Sequence, residues 1–107
     1  MHVLHISSEK TWRGGEQQIA YLIQGAEDIS HYVFCRSRSA FEGYCQAQKI
    51  PYASGSFTPM SLVSSAKKMI DYCQANSVEL VHCHTGKAHL LGYVAILIGL
   101  KLPVIAS

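Results

Sequence analysis

Two polar segments hold most of the residue types in this chain that could bind or activate a ligand. The first is Ser7-Ser8-Glu9-Lys10-Thr11-Trp12-Arg13-Gly14-Gly15-Glu16. A glycine pair at a strand-to-helix turn lets backbone approach a ligand closely, and the helix start presents N–H groups that lack intrahelical partners. Such a turn suits a phosphate, a carboxylate or a sugar hydroxyl. Lys10 and Arg13 supply positive charge, and Trp12 is the chain's only tryptophan. Glu16 complements the helix dipole and could accept hydrogen bonds from sugar hydroxyls. The same residues also fit a plain glycine turn followed by an ordinary first-turn acid. The run is neither GxGxxG nor GxxxxGK[ST], so the nucleotide-loop motifs do not apply.

The second segment is Val81-His82-Cys83-His84-Thr85-Gly86-Lys87-Ala88-His89. Strand alternation puts His82 and His84 on one sheet face, about 7 Å apart in Cα, with His82 the deeper and His84 at the strand's end. A histidine there can donate to a sugar hydroxyl or a phosphate oxygen, or act as an acid–base group. Thr85, Gly86 and Lys87 open the next helix and offer a second terminus for an anion. His82 also reads as a buried histidine hydrogen-bonded to its surroundings. His82, His84 and His89 together suggest a metal. Against this, no aspartate follows in the segment and the nearest acid, Glu79, precedes the strand, so no metal is expected. His2, His5 and His31 fall at the start of or inside strands, where packing roles are expected.

Composition sets the bounds. At 107 residues, with 49% hydrophobic and 15% charged residues, the chain is one domain with ample material for a core. A formal net charge of +2 gives no footprint for nucleic acid. Lys67-Lys68 reads as a solvated helix face. Cys35, Cys45, Cys73 and Cys83 are widely spaced and lack a CxxC pair, as expected of buried free thiols in a reducing compartment. Met1 leads directly into a strand, so no signal peptide is expected and the cytoplasm is the default location. The apolar run Leu90 to Leu100 is too short to span a bilayer and reads as a helix covered on most sides.

Strand and helix signals alternate along the whole chain. Strands are expected at 3–6, 32–36, 52–53, 80–83 and 104–106. The first helix, from Gln17 to about Gly25, aligns Ile19, Leu22, Ile23 and Ala26; a second runs from about Ala40 to Gln48. The third follows Pro59, with Ser61 as its cap, a stripe of Leu62, Ala66, Met69, Ile70 and Cys73, and Asn76 at its end. The fourth begins near Gly86 or Lys87 and closes at Gly99. Alternation at this spacing implies parallel strands with right-handed crossovers, in an α/β doubly wound, Rossmann-like sheet of order 3-2-1-4-5. Ligands of such sheets bind beyond the carboxyl ends of the strands at the switch between strands 1 and 4, where the two polar segments should face each other. The chain stops directly after a strand, which leads us to expect the front part of a longer protein.

HVLHISSEKTWRGGEQQ followed by VELVHCHTGKAHLLGYVAILIGLKLPVIAS resembles the N-terminal domain of a family 4 glycosyltransferase of GT-B architecture. The resemblance is most specific at Trp12–Gln17 and Leu80–Lys87, and the middle of the chain matches only in element order. It implies that residues 1–107 are the acceptor-side domain of an enzyme whose C-terminal domain, with the nucleotide site and a paired-glutamate motif, is absent here. It implies retaining transfer of a sugar from a nucleotide-diphosphate sugar to a glycan or lipid-linked acceptor, without metal or other cofactor. Gly14 and Gly15 would then lie against the donor diphosphate or the acceptor, with Glu16 beside them, and His84 would approach the reacting sugar as the candidate catalytic residue. Trp12, Arg13, Thr85, Gly86 and Lys87 complete the expected substrate-binding set. The resemblance is compatible with peripheral contact at the inner face of a membrane, and the fragment alone is expected to be inactive. Two alternatives stand beside it: a standalone flavodoxin-like module for a phosphorylated ligand, and a small metal-dependent hydrolase built on the three histidines.

Overall fold

Each apolar run expected to be a strand is one in the computed structural model, which describes residues 1–106. The strands are β1 (His2–Ser7), β2 (Ser30–Arg36), β3 (Tyr52–Gly55), β4 (Leu80–Cys83) and β5 (Val104–Ala106). Between them lie α1 (Gly14–Gly25), α2 (Ala40–Gln48), α3 (Leu62–Ala75) and α4 (Gly86–Ile98), with a 3-10 turn at Pro59–Ser61 leading into α3. All strand pairs are parallel and the order is β3-β2-β1-β4-β5, the expected doubly wound sheet.

Alternation along the strands sorts the core into two layers. Leu4, Ile6, Phe34, Val81 and Cys83 pack on one face against Ala66, Met69 and Cys73 of α3 and Ala88, Leu91 and Ala95 of α4. On the other face Val33 and Cys35 meet Ile19 of α1 and Phe41 and Cys45 of α2. These side chains are almost wholly removed from water. Each large apolar one contributes about 1.5–3 kcal/mol of burial. All four cysteines are free and buried, and burial pushes the thiols up to about 12 for Cys35 and Cys45 and about 11 for Cys73 and Cys83. They remain inert thiols, as their spacing implied.

Three local expectations need correction. First, α1 begins at Gly14 rather than Gln17, and its buried residues are Glu16, Ile19 and Ala20. Leu22 is exposed. A carboxylate holds the leading position of the inward stripe, so apolar periodicity alone misses the first turn. Second, Ser61 occupies the N-cap of α3 without capping it. The 3-10 turn leaves its backbone at φ −108°, ψ 1° instead of extended, and its hydroxyl donates back to the Thr58 carbonyl (3.1 Å).

Third, α4 is not covered on most sides. Leu90 is 49%, Tyr93 59% and Leu97 66% exposed, while Ala88, Leu91, Gly92 and Ala95 are buried. The sheet and α3 hold one side of the helix, and no element among the described residues packs on the other. Where it meets the sheet, a methyl group placed on Gly92 would sit 3.2 Å from Cys83 Sγ and 3.3 Å from Val104 Cγ1. The close seating of α4 therefore depends on that missing side chain. No helix among the described residues is long and apolar enough to cross a membrane.

Candidate functional site

Because β1 lies beside β4, the segments that follow them meet at the carboxyl edge of the sheet. The contact is direct. A methyl group placed on Gly15 would sit 3.3 Å from Thr85 Cγ2 and 3.6 Å from the His84 carbonyl oxygen, so α1 lies in close contact with the β4–α4 turn and a side chain here would push Thr85 aside by a few tenths of an ångström. The Ser8 and Thr85 hydroxyls hydrogen-bond across the same seam. Thr85 Oγ1 also accepts the Ala88 N–H (3.2 Å) and so caps α4. The N-termini of two helices, each a favourable site for negative charge, thus share one rim.

Within this rim the expected residues take different parts. Gly14 lies in the open, with no atom within 4 Å of a methyl group placed on it. Glu16 is fully buried: Ser7 Oγ–H donates to Oε2 (3.0 Å) and the Arg13 backbone N–H to Oε1 (3.1 Å). Its carboxylate forms half of a capping box and holds the loop in shape. Trp12 braces the loop against α2, with its ring stacked on Phe41 (centroids 5.3 Å apart), its edge toward Tyr44, and its indole N–H donating to Gln17 Oε1 (3.0 Å). Arg13 is exposed, 3.6 Å from the Glu9 carboxylate. Gly86 and Lys87 are exposed at the start of α4.

His84 ends a row of imidazoles that the sequence reading did not assemble. His5 pairs in register with His82 across β1 and β4. The His82 and His84 rings lie 3.9 Å apart, confirming that they share a face. His84 Nε2 is 3.3 Å from His5 Nδ1, His5 Nε2 is 3.0 Å from His31 Nδ1, and His31 Nε2 is 2.9 Å from the Ala26 carbonyl oxygen. A carbonyl can only accept, so the network assigns the His31 proton to Nε2. With neutral rings, His5 Nε2–H then donates to His31, and His84 Nε2–H donates to His5. One terminal carbonyl fixes three tautomers.

Burial disfavours charge on three of these rings, His5, His82 and His84. Burial, followed by the neighbouring His84, His31 and His82, drives His5 down to about 3. Burial and His82 lower His84 to about 4, and burial also lowers His82. At neutral pH His84 is a neutral hydrogen-bonding group and not a reservoir of protons. His89, on the exposed side of α4, stands apart from the row. His5 and His31, expected to be packing residues, are the ones that join it. Strand order and alternation held the signal, because β1 next to β4 brings residues 5 and 82 level on one face.

A groove of about 380 Å³ opens beside the rim, lined by Arg36 at the end of β2, Phe57, Thr58 and Pro59 after β3, Leu62, and Lys87 and Leu90 of α4. Two cations and apolar walls suit a ligand with an anionic head and an apolar body. Another groove, of about 310 Å³, lies at the amino ends of the strands between the last turns of α3 and α4, near Cys73, Ser77, Leu100 and Leu102. Ligands of doubly wound sheets bind at the carboxyl ends, which favours the groove holding Arg36 and Lys87.

No protein-family model and no curated protein matches this sequence. Solved structures do match its fold. HepE from Anabaena in complex with UDP-glucose superposes with a TM-score of 0.76 at 19% identity, covering 99% of this chain and 28% of HepE. MurG from Acinetobacter baumannii gives 0.78 at 15% identity, over 98% of this chain and 34% of MurG. A glycosyltransferase from Rickettsia africae gives 0.71 at 12%, over 98% of this chain and 28% of its own. The chain thus has the fold of a segment of these larger proteins and spans about a third of their length or less.

Proposed function

We propose that this chain is the acceptor-side domain of a GT-B glycosyltransferase that moves a sugar from a nucleotide-diphosphate sugar to a glycan or lipid-linked acceptor, with retention at the anomeric carbon. The observation that carries this reading is the contact of Gly15 with His84 and Thr85, which joins the two polar segments into one rim at the switch point. The likeness to HepE makes a uridine diphosphate sugar the first donor to try.

On this reading the first-turn N–H groups of α1 and α4 meet phosphate or hydroxyl oxygens of the substrates. Gly14 leaves room for them, and neutral His84 holds a hydroxyl of the transferred sugar. Glu16 and Trp12 keep the loop in place from behind. Rate would come from positioning and from hydrogen bonds aimed at developing charge, with no cofactor in the scheme. A C-terminal domain supplies the nucleotide site and closes the cleft. The reading places the enzyme in the cytoplasm, meeting a lipid-linked acceptor at the inner face of a membrane.

The test is a longer gene product carrying this domain, incubated with uridine diphosphate sugars and a phosphate-bearing lipid or glycan acceptor. Release of UDP with a product of retained anomeric configuration is expected. No transfer, together with binding of inorganic phosphate by the 107-residue chain itself, would favour the standalone phosphate-binding module. The groove adds a sharper expectation. Arg36→Ala and Lys87→Ala should each raise KM for a phosphate-bearing acceptor about tenfold, roughly the value of one charge-assisted hydrogen bond, with kcat little changed. Initial rates against acceptor concentration measure this, and an unaltered KM would remove the groove from the acceptor site.

A further inference from the structure

We infer that His5, His82 and His84 form a binding site for a late first-row divalent cation, with Zn²⁺ as the ion of first choice. One ring nitrogen from each residue lies within 4.8 Å of the others. His5 Nδ1 and His84 Nε2 are already 3.3 Å apart. That matches the spacing of about 3.3 Å between two nitrogens each about 2.05 Å from a tetrahedral ion. The scaffold is rigid, because His5 and His82 are register partners on adjacent central strands and His84 follows two residues later.

The surroundings suit an ion as well as the ligands do. A metal-bound histidine commonly donates its second ring N–H to a fixed acceptor, which orients the ring. Here His5 Nε2 is held by His31 Nδ1, and His31 Nε2 by the Ala26 carbonyl at the end of α1. Access is open from the far side: Ile105, level with His82 on the same face, is 44% exposed, because α1 and α2 pack over the other half of the sheet. Three imidazoles favour Zn²⁺ or Co²⁺ over Mg²⁺ and Ca²⁺, which take oxygen ligands. Cys83 is not part of the set, since its thiol lies on the opposite face against the Ala88 carbonyl. Ligation through His84 Nε2 moves that ring's proton to Nδ1, a tautomer change that leaves the imidazole neutral. The proposal departs from the metal-free expectation, which weighed His82, His84 and His89 without His5.

The experiment titrates the untagged, chelator-treated 107-residue chain with Zn²⁺ by calorimetry and with Co²⁺ by visible spectroscopy. One equivalent should bind, and Co²⁺ should show the intense bands of a tetrahedral site. His82→Ala and His84→Ala should each weaken binding more than about a hundredfold, and His31→Gln by about tenfold to a hundredfold with the cobalt spectrum kept. His89→Ala should bind like the wild type. Zn²⁺ should also raise the melting temperature of the wild type and not that of His82→Ala. No uptake at tenfold excess, weak octahedral bands, or unchanged affinity in the folded His82→Ala variant would each overturn the site. Should His82→Ala fail to fold, His31→Gln decides: affinity equal to the wild type overturns it.

Discussion

Between pH 7 and about pH 4.5 the metal-free domain is expected to lose several kcal/mol of folding stability, a large share of the roughly 5–15 kcal/mol typical of a domain. The cause is His5, which sits almost wholly buried on β1 among three other imidazoles and is held down to about 3 against 6.5 in an open chain. Above pH 6.5 neither state takes the proton and stability does not change. Below it the unfolded chain binds a proton that the folded domain refuses, so stability falls steadily until the folded value is reached. At two units below the open-chain value, one excluded proton is worth a few kcal/mol. His84, lowered to about 4, and His82 act in the same direction. Urea unfolding midpoints measured across this range should decline as the pH falls, and less steeply in His84→Gln, which has one fewer imidazole to protonate. A midpoint independent of pH would show that the row is open to protons in the folded state.

On the proposed reading, replacing His84 with alanine should reduce turnover of a longer transferase carrying this domain by about a hundredfold, the scale of losing one well-placed hydrogen bond to a transition state. The residue lies just beyond β4, and its main chain packs beside Gly15 of α1, so its position is set largely by backbone packing. Truncating the ring leaves that packing intact. Circular dichroism should therefore be unchanged while rate falls, and His84→Asn, which keeps a neutral donor and acceptor, should recover part of it. Chelator in the assay separates this effect from any ion held by the row. Turnover equal to the wild type would take His84 out of the proposed chemistry.

Most of the framework could be read from the sequence because the apolar runs are short, regular and separated by distinct turn residues. The strand order followed from alternation, and with it the meeting of the two polar segments. What stayed hidden depends on more than one element at a time. Glu16 looked like a residue facing ligand, yet its carboxylate turns inward to Ser7 and Arg13. The Arg36–Lys87 groove gathers side chains from separate loops and helices, so no contiguous motif announces it. His5 could have been found from register once the strand order was drawn. The open side of α4 could not, since composition records that a helix is apolar and not what lies against it.

That helix must be aimed by something other than amphipathicity. With leucine, isoleucine and tyrosine all around it, turning it about its axis would exchange one greasy side for another at little cost in solvation. Gly92 breaks the degeneracy: the notch fits over Cys83 and Val104, and other rotations would bring a larger side chain against the sheet. The tolerance map of α4 is therefore the reverse of what its composition suggests. Leu97→Lys, a drastic change on paper, should shift stability by no more than about 0.5 kcal/mol, whereas Gly92→Leu, which only adds to an already leucine-rich helix, should cost about 1–3 kcal/mol. Thermal melts of the two variants compare them directly. The orientation of α4 is encoded as a keyway, by an absent side chain at one position, and the exposed Leu90 and Leu97 contribute little to it.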